Sequence, residues 1–385
     1  MKSIYYYLMI SGFLLFSCNS DIKNGGELLE FPVDKEESAS LPLSEITETI
    51  TAIELELTDE SLINPDYIQR IILSDNHVII AQDDNVLVFS RSGKFTCSIG
   101  SKGQGPGEYT SIRNMAIDET GKRLFVNSNK KIICYDLQGN VLMESSLFQL
   151  NDRISIIDIN YINNELLLIV YSMGREDENG LFNHSAVYRL NDELQIIDSC
   201  TIRKIYEIQH FSSSRSEDFI LISDSTVYLY YPYNSIITPE LRAYGIQNPA
   251  KAALRDTLYR FENNCLIPEL KLKFNKNGMD GEGNMFINLL NVRRSSRYIF
   301  AEYYNHSLDY DYYYPYFCFC YDTKTGKGYN MRDGYIDDIH QIEERIRKIR
   351  PFNTNSELFY YWHTNMKPDD LEEPNPTLYI GKLKK

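Results

Sequence analysis

Residues 86–109, VLVFSRSGKFTCSIGSKGQGPGEY, decide the fold, because they join an alternating apolar strand, a tight turn, a second strand and a glycine-rich connection. The same pattern returns in residues 131–145, KIICYDLQGNVLMES. Three residue pairs share an offset of 46 positions: Val86 with Ile132, Phe89 with Tyr135, and Gly93 with Gly139. A repeat of about 40 to 50 residues built from short strands is typical of a β-propeller.

Most of the remaining chain also reads as short strands. Runs of about four to eight residues rich in Ile, Val, Phe and Tyr alternate with turns that contain Asn, Asp and Gly. This pattern excludes a doubly wound α/β fold. Helical periodicity is found in residues 337–350, DDIHQIEERIRKIR, where Ile339, Ile342 and either Ile346 or Ile349 share one face of a predicted helix.

The two ends of the domain predict how the ring closes. A ring of blades leaves two free strand edges unless its first and last strands share a blade. Residues 50–57, ITAIELEL, and 376–385, PTLYIGKLKK, are natural partners for that closure.

Six blades would take about 55 residues each, more than the 40 to 45 of compact repeats. Long connections are therefore expected near residues 173–185, 240–257, 275–291 and 305–315. The prediction is an all-β, six-bladed β-propeller whose N- and C-terminal strands close a shared blade.

The N-terminal residues indicate export. Lys2 precedes an apolar run from Ile4 to Phe16 that is too short to span a membrane and ends at Ser17-Cys18. This Leu-x-Ser-Cys ending resembles the bacterial lipoprotein signal, which implies a signal peptide over residues 1–17 and lipidation of Cys18; the alternative is an ordinary secretory peptide. Residues 18–44 are rich in Asp, Glu, Ser and Gly and are predicted to be a flexible tether. Residues 45–385 are predicted to form a single propeller domain.

Charge limits the class of partner. The net charge is −15 and the pI is near 5.0, which argues against nucleic acid, since nucleic acid rewards clustered Lys and Arg. The histidines are scattered, without metal-binding or hydrolase motifs. We therefore predict no nucleic-acid partner, no metal and no cofactor.

Six cysteines remain beyond Cys18, and an even number in an oxidising compartment allows disulfides. Most of them lie in apolar runs that resemble strands, which favours buried thiols. Cys318 and Cys320 are predicted to point to the same face of one strand. The six residues are Cys97, Cys134, Cys200, Cys265, Cys318 and Cys320.

Taken together, these segments resemble the six-bladed β-propeller lipoproteins of Gram-negative bacteria, a family of unassigned function distantly related to NHL-repeat propellers. The resemblance covers nearly the whole mature chain. It rests on ITAIELELTDESLI, VFSRSGKF, IGSKGQGPGEY, RDTLYRFENNCLIPELKLKF, RYIFAEYY with YDTKTGK, and NPTLYIGKLK. It implies the fold and the lipid anchor but no catalytic residues, and Asn19 after the cysteine implies the outer membrane.

Two segments supply candidate ligand-binding residues. The glycine-rich segment 100–107 matches neither a P-loop nor a dinucleotide fingerprint, so it is predicted to be a crossover between blades, with Glu108 and Tyr109 lining one propeller face. A tyrosine insertion lies between Tyr303 and Tyr316. Tyrosine combines a rigid flat surface with a hydroxyl, which suits sugar or peptide ligands, and the candidates in this insertion are Tyr310, Tyr312, Tyr313 and Tyr314.

These observations favour a lipid-anchored binding module for a glycan, peptide or protein partner. The predicted location is the outer membrane, and the sequence leaves open whether the domain is periplasmic or surface-exposed. The alternative is a hydrolase or lyase with a metal or acid/base site at the central channel. The sequence does not decide whether the protein is an enzyme, because a fold does not fix a function.

Overall fold

A computed structural model describes most of the chain and shows a six-bladed β-propeller. Four-stranded antiparallel sheets follow one another around a ring, and each begins with its innermost strand. The described residues are 28–33, 37–38, 40–82, 84–129, 131–148, 153–206, 219–223, 225–231, 256–274, 287–305, 315–352, 354–364 and 374–385.

The N-terminal segment contains four strands and one short helix, followed by a 3-10 turn at Pro65–Tyr67. Its elements are β1 (Leu29–Pro32), β2 (Glu37–Ser38), β3 (Leu41–Pro42), α1 (Leu43–Ile46) and β4 (Thr47–Glu54).

The blades follow in chain order from the innermost strand outward. Blade 1 has β5 (Arg70–Leu73), β6 (His77–Ala81), β7 (Val86–Ser90) and β8 (Phe95–Ser98); blade 2 has β9 (Asn114–Asp118), β10 (Arg123–Ser128), β11 (Lys131–Asp136) and β12 (Val141–Ser146). Blade 3 has β13 (Ile154–Ile162), β14 (Glu165–Asp177), β15 (Gly180–Leu190) and β16 (Ile196–Ile205); blade 4 has β17 (Ile220–Ser223), β18 (Thr226–Leu229), β19 (Thr257–Glu262) and β20 (Cys265–Lys273). Blade 5 has β21 (Ile287–Arg294), β22 (Tyr298–Asn305), β23 (Tyr316–Asp322) and β24 (Lys327–Met331). After β25 (Tyr335–Ile336), blade 6 has β26 (Arg350–Phe352), β27 (Asn355–His363) and β28 (Thr377–Leu383).

The ring closes as predicted, because β4 is the outermost strand of blade 6. It pairs antiparallel with β28 from Thr377 opposite Glu54 to Leu383 opposite Thr47. The N-terminal strand thus completes a sheet whose other three strands come from the C-terminus. This arrangement removes the two free edges that an open ring would leave.

The tether predicted for residues 18–44 is wrong for its described second half. β1 pairs in parallel with the outer strand of blade 4, and β2 pairs with the outer strand of blade 5. Val33 is fully buried, and Phe31 packs edge-on against Tyr321 at 5.0 Å. Backbone pairing with existing sheet edges orders this stretch, which its polar composition does not reveal. Residues 1–27, including Cys18, lie outside the described residues.

The repeat is confirmed in the third strands of blades 1 and 2. A register shift falls between Val88 and Phe89 in β7 and between Cys134 and Tyr135 in β11. The turn glycines that follow, Gly93 and Gly139, have φ values of 88° and 89°. Both blades therefore share strand irregularity and turn conformation at the offset that the sequence showed.

Buried apolar side chains form six clusters, and each lies between two neighbouring blades. The cluster between blades 1 and 2 joins Ile79 and Val88 to Met115 and Val126. Equivalent clusters continue around the ring, up to the one that joins blades 6 and 1. Because burying apolar surface is the main favourable term in folding, the interfaces between blades stabilise the ring.

Two other predictions are wrong. Residues 337–350 form turns, an isolated bridge and extended chain instead of a helix. The Asp337 carboxylate accepts hydrogen bonds from the backbone N–H groups of Ile339 and His340, and Gln341 has a φ of 58°, which ends any helical turn. Residues 173–185 are also not a loop, because β14 and β15 extend into a long hairpin.

Candidate functional site

The inner strands carry buried polar groups near the ring axis, where the alternative hydrolase prediction would need its site. Arg70 of blade 1 lies 2.5 Å from Asp158 of blade 3, and the two side chains are 2% and 0% exposed. The Arg70 guanidinium also donates to the carbonyls of Met115 and Ile159. Asp158 accepts from the backbone N–H groups of Phe219 and Ile220 in blade 4. These groups tie four blades together.

Neighbouring asparagines have similar roles. Asn114 donates to the carbonyl of Ile157, and Asn160 donates to that of Ile220. Asn127 donates to Asn114 across one blade. Because their hydrogen bonds link neighbouring strands, these side chains are occupied in holding the inner strands in register. The geometry assigns this network to the scaffold.

An open cleft lies instead on the face of the ring that carries the connections between blades. In a four-stranded antiparallel blade the outer strand ends, and the next inner strand begins, at the same face; we call it the crossover face. The cleft there has a volume of about 330 Å³. It lies where residues 332–349 pass from blade 5 to blade 6, and its lining residues are Glu344, Arg345, Ile346, Arg347, Lys348, Arg350, Tyr361, Trp362 and His363. We call it the basic cleft.

The basic cleft contains a run of cations, RIRKIR at residues 345–350. Ile346 and Ile349 anchor this run, since they are 6% and 3% exposed and belong to the cluster between blades 5 and 6. Ile346 exchanges two backbone hydrogen bonds with Tyr335, and the Arg347 carbonyl accepts one from the Cys318 thiol. The buried isoleucines leave the side chains of Arg345 and Arg347 exposed to solvent.

The Arg350 guanidinium lies over the ring of Trp362 in this cleft. The guanidinium carbon lies 4.7 Å from the centroid of the indole ring. Nη1 of Arg350 is shielded from solvent and has no hydrogen-bond partner among the described residues. An unsatisfied buried donor costs about 1–3 kcal/mol. Arg350 is therefore a cation held over the indole, and one of its donors, Nη1, is unsatisfied within the described residues.

Other charges in the basic cleft are paired. Lys348 lies 2.9 Å from Glu302 of blade 5, which also lies 3.5 Å from Arg293 and accepts a hydrogen bond from Tyr316. Burial acts to raise the pKa of Glu302, but Lys348 and Arg293 together hold it well below its ordinary value. His363 lies 3.4 Å from the exposed Glu344. In the described part of the chain, Arg345, Arg347 and Arg350 make no ion pair.

A second cleft of about 310 Å³ lies on the opposite face, at the turns that follow the inner strands. It contains Asp75, Glu119 and Arg91, and the Arg91 guanidinium donates to the carbonyl of Ser74. Burial and the neighbouring Asp75 carboxylate raise the pKa of Glu119. Two carboxyl groups therefore lie close together here, and the pKa of Glu119 is raised.

The crossover predicted for the glycine-rich segment is confirmed, and it accounts for the positions of Glu108 and Tyr109. Glu108 accepts a hydrogen bond from the backbone N–H of Gly105 at 2.8 Å. Tyr109 is 1% exposed, and its hydroxyl donates to the Ile99 carbonyl. At Gly100, with a φ of 69°, a Cβ atom would overlap the ring of Tyr109. Both candidate side chains thus contact the crossover itself, and Tyr109 belongs to the core.

The four candidates of the tyrosine insertion, Tyr310, Tyr312, Tyr313 and Tyr314, lie outside the described residues. The described ends of the insertion lie next to the basic cleft. Tyr316 donates to Glu302, and Glu302 pairs with Lys348. Tyr304 packs against Tyr316 at 5.4 Å.

The cysteines of the described residues form no disulfide bonds. The six described cysteines are free thiols: Cys134, Cys318 and Cys320 are buried, and Cys97, Cys200 and Cys265 are half-buried. Cys318 and Cys320 lie in the same cluster, on one face of β23. The described residues contain no group of His, Cys, Asp and Glu that could hold a metal ion. In the same part of the chain, no helix is long and apolar enough to cross a membrane.

Sequence reasoning missed the basic cleft. Its signal was present, because RIRKIR concentrates four cations within six residues of a chain whose net charge is −15. The spacing of its isoleucines fits a helix as well as an extended segment, and only the fold brings this run next to Trp362, the chain's one tryptophan.

One solved structure supports the fold, and a family model covers most of the chain. The family model described as "Domain of unknown function (DUF4934)" matches residues 28–384. A "Putative exported protein" from Bacteroides fragilis is 17% identical with a TM-score of 0.62, and the match covers 93% of this chain and 100% of that one. Hydrazine synthase from Kuenenia stuttgartiensis is 11% identical with a TM-score of 0.44, covering 79% and 76%. The Pan2 WD40 domain of Neurospora crassa is 12% identical with a TM-score of 0.39, covering 83% and 76%. No curated protein sequence matches the chain.

Proposed function

We propose that this chain, which belongs to the family described as "Domain of unknown function (DUF4934)", is a lipid-anchored extracytoplasmic binding module. Its ligand occupies the basic cleft. The observation that carries this proposal is the partly exposed Arg350 guanidinium, which lies over the Trp362 ring and makes no ion pair within the described residues. Binding sites combine apolar walls with a few oriented polar groups. The basic cleft has both features.

The position of the basic cleft supports binding as the role of this face. Connections between secondary-structure elements on a rigid scaffold are common places for recognition. The cleft lies at such a connection, and its floor is fixed by the buried Ile346 and Ile349. A ligand would meet the partly exposed Arg350, whose guanidinium is already held over Trp362, and this lowers the entropic cost of binding.

Anchoring is the second part of the proposal, and it rests on the Ser17-Cys18 signal ending. Lipidation of Cys18 would hold the propeller at the outer membrane, on either its periplasmic or its outer surface. The chain between Cys18 and Leu29 spans at most about 35–40 Å when fully extended, so the propeller would stay close to the lipid. Labelling with a fatty-acid analogue should mark the wild-type protein and not Cys18→Ala.

The binding role can be tested by screening the purified full-length protein on arrays of glycans and peptides. Arg350→Gln and Trp362→Leu should lose the ligands that the wild type retains. Arg175→Gln is the matched control, because it removes the same charge from an exposed position on blade 3, opposite blade 6 in the ring. Retention of the same ligands by both cleft variants would contradict this role for the basic cleft.

A second candidate function is hydrolysis or elimination at the second cleft. The specific observation is the raised pKa of Glu119, caused by burial and by Asp75. A carboxyl group with a raised pKa beside a second carboxyl group is a pattern found in acid/base catalysis. Turnover of an array ligand by the wild type and not by Glu119→Gln would favour this function over binding alone.

A further inference from the structure

Resting on the proposed binding role, we infer that the ligand of the basic cleft is an acidic glycan. A carboxylate or sulfate on a sugar ring would pair with Arg350, and the sugar ring would lie in the open part of the cleft beside the partly exposed Trp362.

The charges in the basic cleft point to an oxyanion. The planar guanidinium of an arginine matches a carboxylate or sulfate group with two parallel hydrogen bonds. Arg350 makes no ion pair within the described residues, and its guanidinium carbon lies 4.7 Å from the centroid of the Trp362 ring. Arg345 and Arg347 add exposed positive charge nearby. The cleft is thus a local positive site on a protein of net charge −15.

The two carboxylates near the basic cleft, Glu302 and Glu344, have other partners and do not neutralise Arg350. Glu302 is 5% exposed and is already shared between Lys348 and Arg293. Glu344 is 79% exposed and reaches His363 at 3.4 Å. Neither carboxylate pairs with Arg350, so an incoming anion would not have to displace an internal one.

The shape of the basic cleft favours a sugar over a peptide. A peptide that binds by strand addition needs an exposed sheet edge, whereas this cleft lies at the ends of β26 and β27. A peptide that binds through apolar side chains needs apolar pockets, but Ile346 is buried and Tyr361 is 2% exposed. The cleft offers one partly exposed indole and several cationic donors, which suit a hydroxylated anion. Its volume of about 330 Å³ is near the lower end of ligand pockets and suits one or two sugar units.

Calorimetric titration of the full-length protein with four probes tests the inference. The probes are trigalacturonate, neutral galactotriose, a sulfated trisaccharide and triglutamate. At least one of the two acidic sugars should bind about 10-fold or more tightly than galactotriose. About 0.5 M salt should reduce that preference, because the charges are partly exposed. The tighter of the two acidic sugars identifies the oxyanion as carboxylate or sulfate.

Two variants keep the test independent of folding defects. Arg350→Gln should remove most of the preference for the acidic sugar, about a 10-fold loss for one charged hydrogen-bonded contact, and Arg345→Gln should reduce it by less. The matched control Arg175→Gln should leave all affinities unchanged. Unaltered thermal unfolding of the variants would show that the loss is local.

Each remaining outcome has a distinct meaning. Equal affinity for acidic and neutral sugars, both lost in Arg350→Gln, would overturn the inference and leave the proposed binding role intact. Tighter binding of triglutamate would assign the basic cleft to acidic peptides and overturn the inference in the same way. If none of the four probes binds, and if the cleft variants still bind the same array ligands as the wild type, both the inference and the proposed binding role would be overturned.

Discussion

The guanidinium carbon of Arg350 lies 4.7 Å from the centroid of the Trp362 ring, at the point where blade 5 passes into blade 6. This contact holds the guanidinium over the indole in a cleft where Arg350 has no ion-pair partner among the described residues. We therefore expect ligand affinity to be most sensitive to substitutions at Arg350 and Trp362.

Replacing the indole of Trp362 tests its contact with Arg350. Trp362→Leu should weaken acidic-sugar binding about 5- to 10-fold, because a cation–π contact contributes about 0.5–2 kcal/mol. Trp362→Phe keeps an aromatic face and should weaken binding less. Calorimetry on both variants gives the comparison, and equal losses would mean that the ring face does not orient Arg350.

Glu302 should make the folding stability of the protein depend on pH. Lys348 and Arg293 lower its pKa in the folded state below the ordinary value of 4.5, so the unfolded chain binds more protons as the pH falls through this range. Its stabilising contribution is complete above about pH 4.5 and is lost as the pH falls toward the folded-state pKa.

Glu302→Gln tests that dependence. At neutral pH the variant should be less stable by about 3–5 kcal/mol, because it leaves the buried Arg293 and the half-buried Lys348 without their carboxylate. The difference from the wild type should narrow below about pH 4.5. Denaturant unfolding at a series of pH values measures it, and a constant difference would contradict the lowered pKa.

Gly93 should be intolerant of a side chain. Its φ of 88° costs a non-glycine residue about 1–3 kcal/mol, and a Cβ there would also overlap the Glu54 carbonyl in the closing strand. Gly180 is the matched control, with a φ of 113° and nothing within 4 Å of such a Cβ. Gly93→Ala should lower the Tm more than Gly180→Ala, and equal shifts would show that the turn does not press on the closing strand.

The repeat and the closure could be predicted because they depend on local chemistry. Gly93 and Gly139 mark identical turns, and the apolar alternation around Ile53 and Leu378 marks strands that need partners. The basic cleft could not be predicted, since the spacing of Ile346 and Ile349 fits a helix equally well and the choice depends on Tyr335, which pairs with Ile346 only in the fold. The pairing of β1 was hidden because it uses backbone groups and its side chains are mostly polar or exposed.

The N-terminal strands should protect the rim of the propeller. Deleting residues 28–40 removes β1 and β2 and uncovers the outer edges of β20 and β24, and uncovered strand edges promote association. Light scattering after size-exclusion chromatography should therefore detect larger species. Deletion of residues 19–27, which precede β1, is the control and should leave the protein unchanged; a monomeric 28–40 deletion would contradict a protective role.

The most direct test of the account uses Trp362 as a reporter, since it is the only tryptophan in the chain. Titrating the full-length protein with trigalacturonate and with the sulfated trisaccharide should give a saturable change in tryptophan fluorescence for the acidic sugar that binds. Galactotriose should give little change over the same range, and Arg350→Gln should abolish the response to the acidic sugar. An acidic sugar that binds by calorimetry and leaves the Trp362 fluorescence unchanged would place the ligand elsewhere and contradict the assignment of the basic cleft.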